Sequence, residues 1–212
     1  MKKKINIRPY DYLVLILLVL FFIGYFGLFS LLVKYVSKIV IYLIVLFIWI
    51  IVMKKYIKHG IKNFKKEYIN DALSIVTLII VTSSVLFLFL NKSTNINSQS
   101  NETVSLMLFS TLIFTPIVEE LVNRCAIGLL LEKFTSKNNY INIITTIIFV
   151  FMHIYKMNLN IVSLLIYSVI YFLLGYACGY YYRKTNNIIL SILIHFLWNL
   201  FMIIGVVIRN TL

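Results

Sequence analysis

Long apolar runs separated by short stretches bearing lysine, asparagine and serine make up almost the whole chain. A helix needs about 20 apolar residues to cross the roughly 30 Å hydrocarbon layer of a bilayer. By that measure the pattern predicts transmembrane helices over about Tyr12–Val33, Ile39–Met53, Ala72–Leu90, Val104–Leu131, Tyr140–Tyr155, Ile161–Tyr182 and Ile188–Ile208. The second of these is short. Between the second and third, Ile57, Ile61, Phe64 and Tyr68 recur at helical spacing among six lysines. This predicts an interfacial helix over Lys54–Asn70, lying on the headgroups and weakened by Gly60. The first run follows Met1-Lys2-Lys3-Lys4 but is too long for a signal peptide, and no small-residue cleavage site follows it. The expected fold is all-α, a polytopic bundle of about seven transmembrane helices. It divides into residues 1–103, helices with a basic interfacial segment, and residues 104–212, a helical core, both within one membrane domain.

Composition excludes a soluble protein: of 212 residues 61% are hydrophobic, and the mean hydropathy is +0.95. The formal charge of +13 points to nucleic acid only as a sum, because the lysines sit between apolar spans. There they meet lipid headgroups and set orientation, so the expected partner is the bilayer and not nucleic acid. With seven spans and the N-terminus inside, the outer segments hold only Lys34, Lys38, Lys92, Lys156 and Arg209, five basic residues against fourteen in the inner segments. That asymmetry predicts a cytoplasmic N-terminus and an outer C-terminus, and the expected location is the plasma membrane. Cys125 and Cys178 lie in separate spans without CxxC spacing, which supports neither a zinc knuckle nor a disulfide framework.

Against this background the run Thr115-Pro116-Ile117-Val118-Glu119-Glu120-Leu121-Val122-Asn123-Arg124 stands out, because it puts three charges inside an apolar span. A charge at the bilayer centre costs about 2.5–3.5 kcal/mol on insertion scales. Residues four apart share a helix face, so Glu120 can pair with Arg124 and Glu119 with Asn123. Adjacent residues differ by about 100°, so the two carboxylates cannot aim at one point. One is expected to be neutralised by Arg124 while the other faces a cavity. Pro116 removes a helix hydrogen bond just before the pair and can open the backbone there. Farther on, Phe149 and His153 are four apart in one predicted span, and His195 and Asn199 in another. Counted at about 1.5 Å per residue, Glu119 and His153 lie about 20 Å from the inner helix ends, Asn199 about 18 Å and His195 about 12 Å, so three helices bring polar groups to similar depth. Gly175 and Gly179 form a GxxxG, a signal for close helix packing.

Glu119-Glu120-x-x-x-Arg124, Phe149-x-x-x-His153 and His195-x-x-x-Asn199, in this order, resemble the three motifs of the CPBP family. That family comprises CAAX-prenyl-protease-like proteins and the Abi proteins of bacteriocin processing or immunity. The resemblance covers about Val104–Ile208. One departure is Asn186-Asn187 in the turn before His195, where the family often has small residues and proline. The resemblance implies an intramembrane endopeptidase acting on a membrane-associated peptide or protein. Glu119 and His153 would activate water and His195 and Asn199 would stabilise the oxyanion. Glu120 and Arg124 would hold the helices, with Phe149 supporting the site. A desolvated carboxylate is a competent general base, and a histidine and an amide supply donors to a tetrahedral intermediate. No serine or cysteine is placed with a base, which favours direct attack by water. One carboxylate and two histidines are also the ligand count of a hydrolytic zinc site, here Glu119, His153 and His195, so a metal-free and a zinc mechanism both stay open. Two other readings compete: an immunity protein that binds a bacteriocin or its receptor without cleaving it, and a proton-coupled transporter. The small size and the lack of an inverted repeat of broken helices weigh against transport.

Overall fold

The computed structural model describes residues 8–28, 32–33, 36–88, 104–155 and 157–211. Lys2–Lys4, Lys34, Lys92, Lys156 and the polar loop over residues 91–103 lie outside them. The described residues form helices and their connections, with no strand among them. We name them α1 (Pro9–Ile23, continued by a π-helical turn, Gly24–Leu28), α2 (Lys38–Val52), α3 (Lys54–Lys62), α4 (Glu67–Phe87), α6 (Asn138–Ile154), α7 (Ile161–Thr185) and α8 (Ile188–Thr211). Between α4 and α6 runs α5, which alternates α-helical Val104–Phe109, Thr115–Glu120 and Gly128–Leu131 with π-helical Ser110–Phe114 and Leu121–Ile127.

The protein is an all-α polytopic membrane bundle. Among the described residues five helices, α1, α4, α5, α7 and α8, are long and apolar enough to cross a bilayer, and there is a sixth if the α2–α3 pair, bent by 72°, is counted as one span. The expected seventh, α6, has 17 residues, about 25 Å of helix, and falls short by length. It nevertheless reaches the far end of the bundle, where the Tyr155 hydroxyl donates to the Tyr25 carbonyl at 3.1 Å. The lysine-rich segment also differs from expectation. It is not one helix over Lys54–Asn70: α3 ends at Lys62, and Glu67 already belongs to α4.

The two halves of the chain share their cores. Val14, Leu18, Phe21, Trp49 and Met53 from α1, α2 and the bend after α2 pack with Val118, Leu121, Val122 and Cys125 of α5. Ala72, Val76 and Ile79 of α4 pack with Phe149, Leu174 and Leu190. The exposed surface is studded with Leu, Ile, Val and Phe, as lipid-facing helices require. Both cysteines are buried and unbridged.

The turn between α7 and α8 shows what the two asparagines do in place of proline. Asn186 takes the left-handed conformation (φ 52°) and ends α7, its N–H bonding the Tyr182 carbonyl at 2.8 Å. Asn187 then caps α8, its Oδ1 accepting from the N–H groups of Ile189 (3.0 Å) and Leu190 (3.4 Å). Asparagine tolerates both jobs because its short side chain hydrogen-bonds locally.

Candidate active site

The first π-helical turn of α5 traces back to Pro116. Thr115 N–H bonds the Ser110 carbonyl, five residues back. In that register the Thr111 carbonyl would look to residue 116, which has no N–H to give. Asn199 of α8 fills the gap: its Nδ2 donates to the Thr111 carbonyl at 2.8 Å. The backbone is thus re-registered and cross-linked to α8 just before the charged pair. Such π segments recur at functional positions in helices.

Glu120 is completely buried and fully used. Its Oε2 accepts from Arg124 Nε at 2.9 Å and from Ser191 Oγ at 2.6 Å, and Oε1 lies 3.1 Å from His195 Nδ1. A carboxylate oxygen is an acceptor, so Nδ1 carries the proton that meets it. Arg124 spans to α6, where Nη1 donates to Thr145 Oγ1 at 3.1 Å, and its guanidinium lies 5.7 Å from the Phe149 ring. This is the lock expected from the four-residue spacing, extended by two hydroxyl residues. The other expected pair does not form between side chains: Asn123 Nδ2 donates to the main-chain carbonyl of Glu119 at 2.9 Å.

Glu119 points elsewhere. Its Oε2 is buried, accepts no hydrogen bond among the described residues, and lies 3.5 Å from His153 Nε2. His153 Nδ1 is 2.8 Å from the Phe149 carbonyl. Since a carbonyl only accepts, Nδ1 donates, which leaves Nε2 as the ring nitrogen turned toward Glu119. The ring is sandwiched, with Phe149 and Tyr171 centroids each 4.3 Å away, and Phe149 also meets His195 edge-on at 5.5 Å. Phe149 fits there because Gly175 carries no side chain: an added Cβ would stand 2.9 Å from its ring. The GxxxG therefore packs helices, as expected, and in doing so seats the residue that supports both histidines.

Glu119, His153 and His195 offer one ligand atom each, all within 4.8 Å of one another. Three helices separated by up to 76 positions in sequence thus meet at one point, while Asn199 is held at Thr111. Glu119 also borders a cavity of about 510 Å³. Much of its wall comes from the motif-free half: Phe21, Tyr25, Ile41 and Tyr42 face Phe114, Thr115 and Val118, with Lys38 at the edge. Tyr42 stacks on Phe114 at 4.3 Å and closes that side. Sequence reasoning missed this wall, along with Ser191, Tyr171 and Thr145. Only Ser191 carried a signal, lying four residues before His195 on the same helix face.

Fold and site together define an integral membrane protein with buried acidic and imidazole groups gathered beside a cavity. Residues 101–201 match the family described as Type II CAAX prenyl endopeptidase Rce1-like, and this part of the chain is a domain of that family, consistent with a CPBP intramembrane protease. The domain is that of an intramembrane endopeptidase, a hydrolase whose substrate is a peptide or protein. No curated protein and no solved structure matches the chain.

Proposed function

We propose that this protein cleaves a membrane-associated peptide or protein by attack of a water molecule that Glu119 and His153 activate. The observation that supports this most is the bare, buried Glu119 Oε2 facing His153 Nε2 at 3.5 Å on the edge of a cavity. An oxygen in that setting is costly unless a donor meets it. A water donating to it passes its proton to Glu119 as its oxygen bonds to the scissile carbonyl carbon. The carbonyl oxygen takes up the electron pair; as that pair returns to re-form the carbonyl, the C–N bond breaks and Glu119 passes its proton to the leaving amine. His195 and the second N–H of Asn199 are the donors assigned to that oxyanion, while Glu120, Arg124 and Phe149 position the helices that carry them.

The same three donors fit a zinc ion. Both histidines have Nδ1 committed to an acceptor, Phe149's carbonyl for one and Glu120 for the other, which is how metal-binding histidines are usually oriented. Bound there by Glu119, His153 and His195, zinc would supply Lewis acidity and an acidified water. The charge of His195 separates the two readings. With Nδ1 donating to Glu120, Nε2 gives a proton to an oxyanion only as imidazolium, whereas it binds a metal as the neutral ring. Elemental analysis of active protein distinguishes them.

The plasma membrane and a cytoplasmic N-terminus belong to this proposal. In their favour, the contacts among α1, α3, α5, α7 and α8 gather Arg8, the six lysines, Lys133, Arg183 and Lys184 at one end of the bundle. The test of the enzyme reading is a Glu119→Gln protein that inserts and accumulates normally. Loss of peptide cleavage is the expected result, and retained cleavage refutes the assignment of the base. If the variant still exerts the protein's full cellular effect, binding without cleavage, as in a bacteriocin immunity protein, takes its place.

A further inference from the structure

Helix α3 leaves α2 at 72° and lies across one end of the bundle. The bend before it is tied to α1, whose Tyr10 hydroxyl donates to the Val52 carbonyl at the end of α2 at 2.8 Å, and its own inner face is tied to α8, where Asn187 Nδ2 donates to the Gly60 carbonyl at 3.0 Å. Gly60 is buried, and a Cβ added there would stand 2.9 Å from Ile189 Cγ1, so α3 rests on the first turn of α8 without slack. The outer face carries Lys54, Lys55, Lys58 and Lys62, all exposed, and Lys65 and Lys66 extend it. Among the described residues none of the six is in an ion pair; Asp11 is paired with Lys133 at 2.9 Å and Glu132 with Arg183, and the acids nearest in sequence, Glu67 and Asp71, lie beyond the run at the start of α4.

We propose that this face binds anionic phospholipid headgroups and that its occupancy is passed to α8, the helix of His195, through Asn187. Two features favour lipid over any other anion. The helix lies across the bundle end, where a membrane surface runs, and its lysines sit on the side away from the buried Gly60, beside the exposed Ile61, the amphipathic mix a headgroup surface takes. Asn187 is the link because it does two things at once. Its Nδ2 holds Gly60 of α3, and its Oδ1 caps Ile189 and Leu190 of α8. Headgroups that hold α3 against the bundle hold the cap in place, and the cap holds the first turns of the helix that carries His195. Nothing in this depends on the chemistry at Glu119.

Amide hydrogen exchange on the full chain tests it, in vesicles of phosphatidylcholine alone and of phosphatidylcholine with phosphatidylglycerol. Phosphatidylglycerol should slow exchange about tenfold or more in α3 and in the first two turns of α8, since each lysine near an anionic surface contributes several-fold. Replacing Lys54, Lys55, Lys58 and Lys62 together by glutamine should abolish the slowing in both places, and replacing them by arginine should keep it. Asn187→Ala should keep the slowing in α3 and lose it in α8. Equal exchange in the two vesicles, or a glutamine variant that behaves like the parent, overturns the lipid site. So does inorganic phosphate reproducing the effect in phosphatidylcholine vesicles, which would make the lysines a soluble-anion site. Continued protection of α8 in Asn187→Ala overturns the link.

Discussion

The two sides of α5 treat their carboxylates in opposite ways. Around Glu120 the donors of Arg124, Ser191 and His195 converge at 2.6–3.1 Å and leave no room for anything else. Around Glu119, one residue earlier and about 100° round the helix, Oε2 accepts no hydrogen bond among the described residues, and the residue borders a cavity. A buried ion pair of the first kind is held by mutual satisfaction and fixes helices relative to one another. An acceptor of the second kind is retained against its desolvation cost, which on the proposed reading is what activating water requires.

The largest effect should come from the open side. Glu119→Gln and His153→Ala are each expected to lower cleavage by about 10³-fold or more without lowering abundance, and the double variant should be little worse than either, because groups that act as one unit are not additive. Single-turnover rates on a membrane-reconstituted peptide would read this. Strict additivity would show that the two act separately. Next, Arg124→Ala should strike the closed side: thermal stability should fall by about 3–5 kcal/mol, because the Glu120 charge stays buried without its main partner. Normal stability with lost activity would instead move Arg124 into the chemistry.

Asn199→Ala straddles the two sides. It should cost about 10²–10³ in rate if the amide serves the oxyanion, and it also strips the Thr111 carbonyl of its donor. Pro116→Ala returns an N–H to the α5 backbone, so in the double variant stability should recover while the rate stays low. Recovery of both would make Asn199 a backbone tie only. The smallest effect is expected from Ser191→Ala, a loss of about 1–3 kcal/mol in stability with cleavage unchanged per folded molecule. A change in rate there would mean that Glu120 reports to the open side through His195.

Much of this contrast was legible in the chain itself, for reasons that are local. Four-residue spacing puts Glu120 and Arg124 on one face, and the structure pairs them at 2.9 Å. The same rule brings Asn123 to Glu119, but to its main-chain carbonyl at 2.9 Å and not to its carboxylate, which spacing alone could not distinguish. Pro116 was read as a place where the backbone opens. The helix stays continuous and absorbs the missing donor by re-registering, helped by a side chain 88 positions away.

Apolar length and the cost of charge in lipid decided from sequence that the chain is a helical membrane protein, roughly where its apolar helices lie though not where the lysine-rich segment breaks, and that Glu119, Glu120, Arg124, His153 and His195 need explaining. Those quantities depend on each segment and its solvent, so the sequence carries them without reference to the rest. Which carboxylate is satisfied, that Ser191 and Tyr171 belong to the site, and that α1 and α2 wall the cavity depend on how helices distant in sequence are brought together. Only the tertiary structure decides such matters, because the residues that settle them, from Phe21 to Asn199, are neighbours in no stretch of the chain.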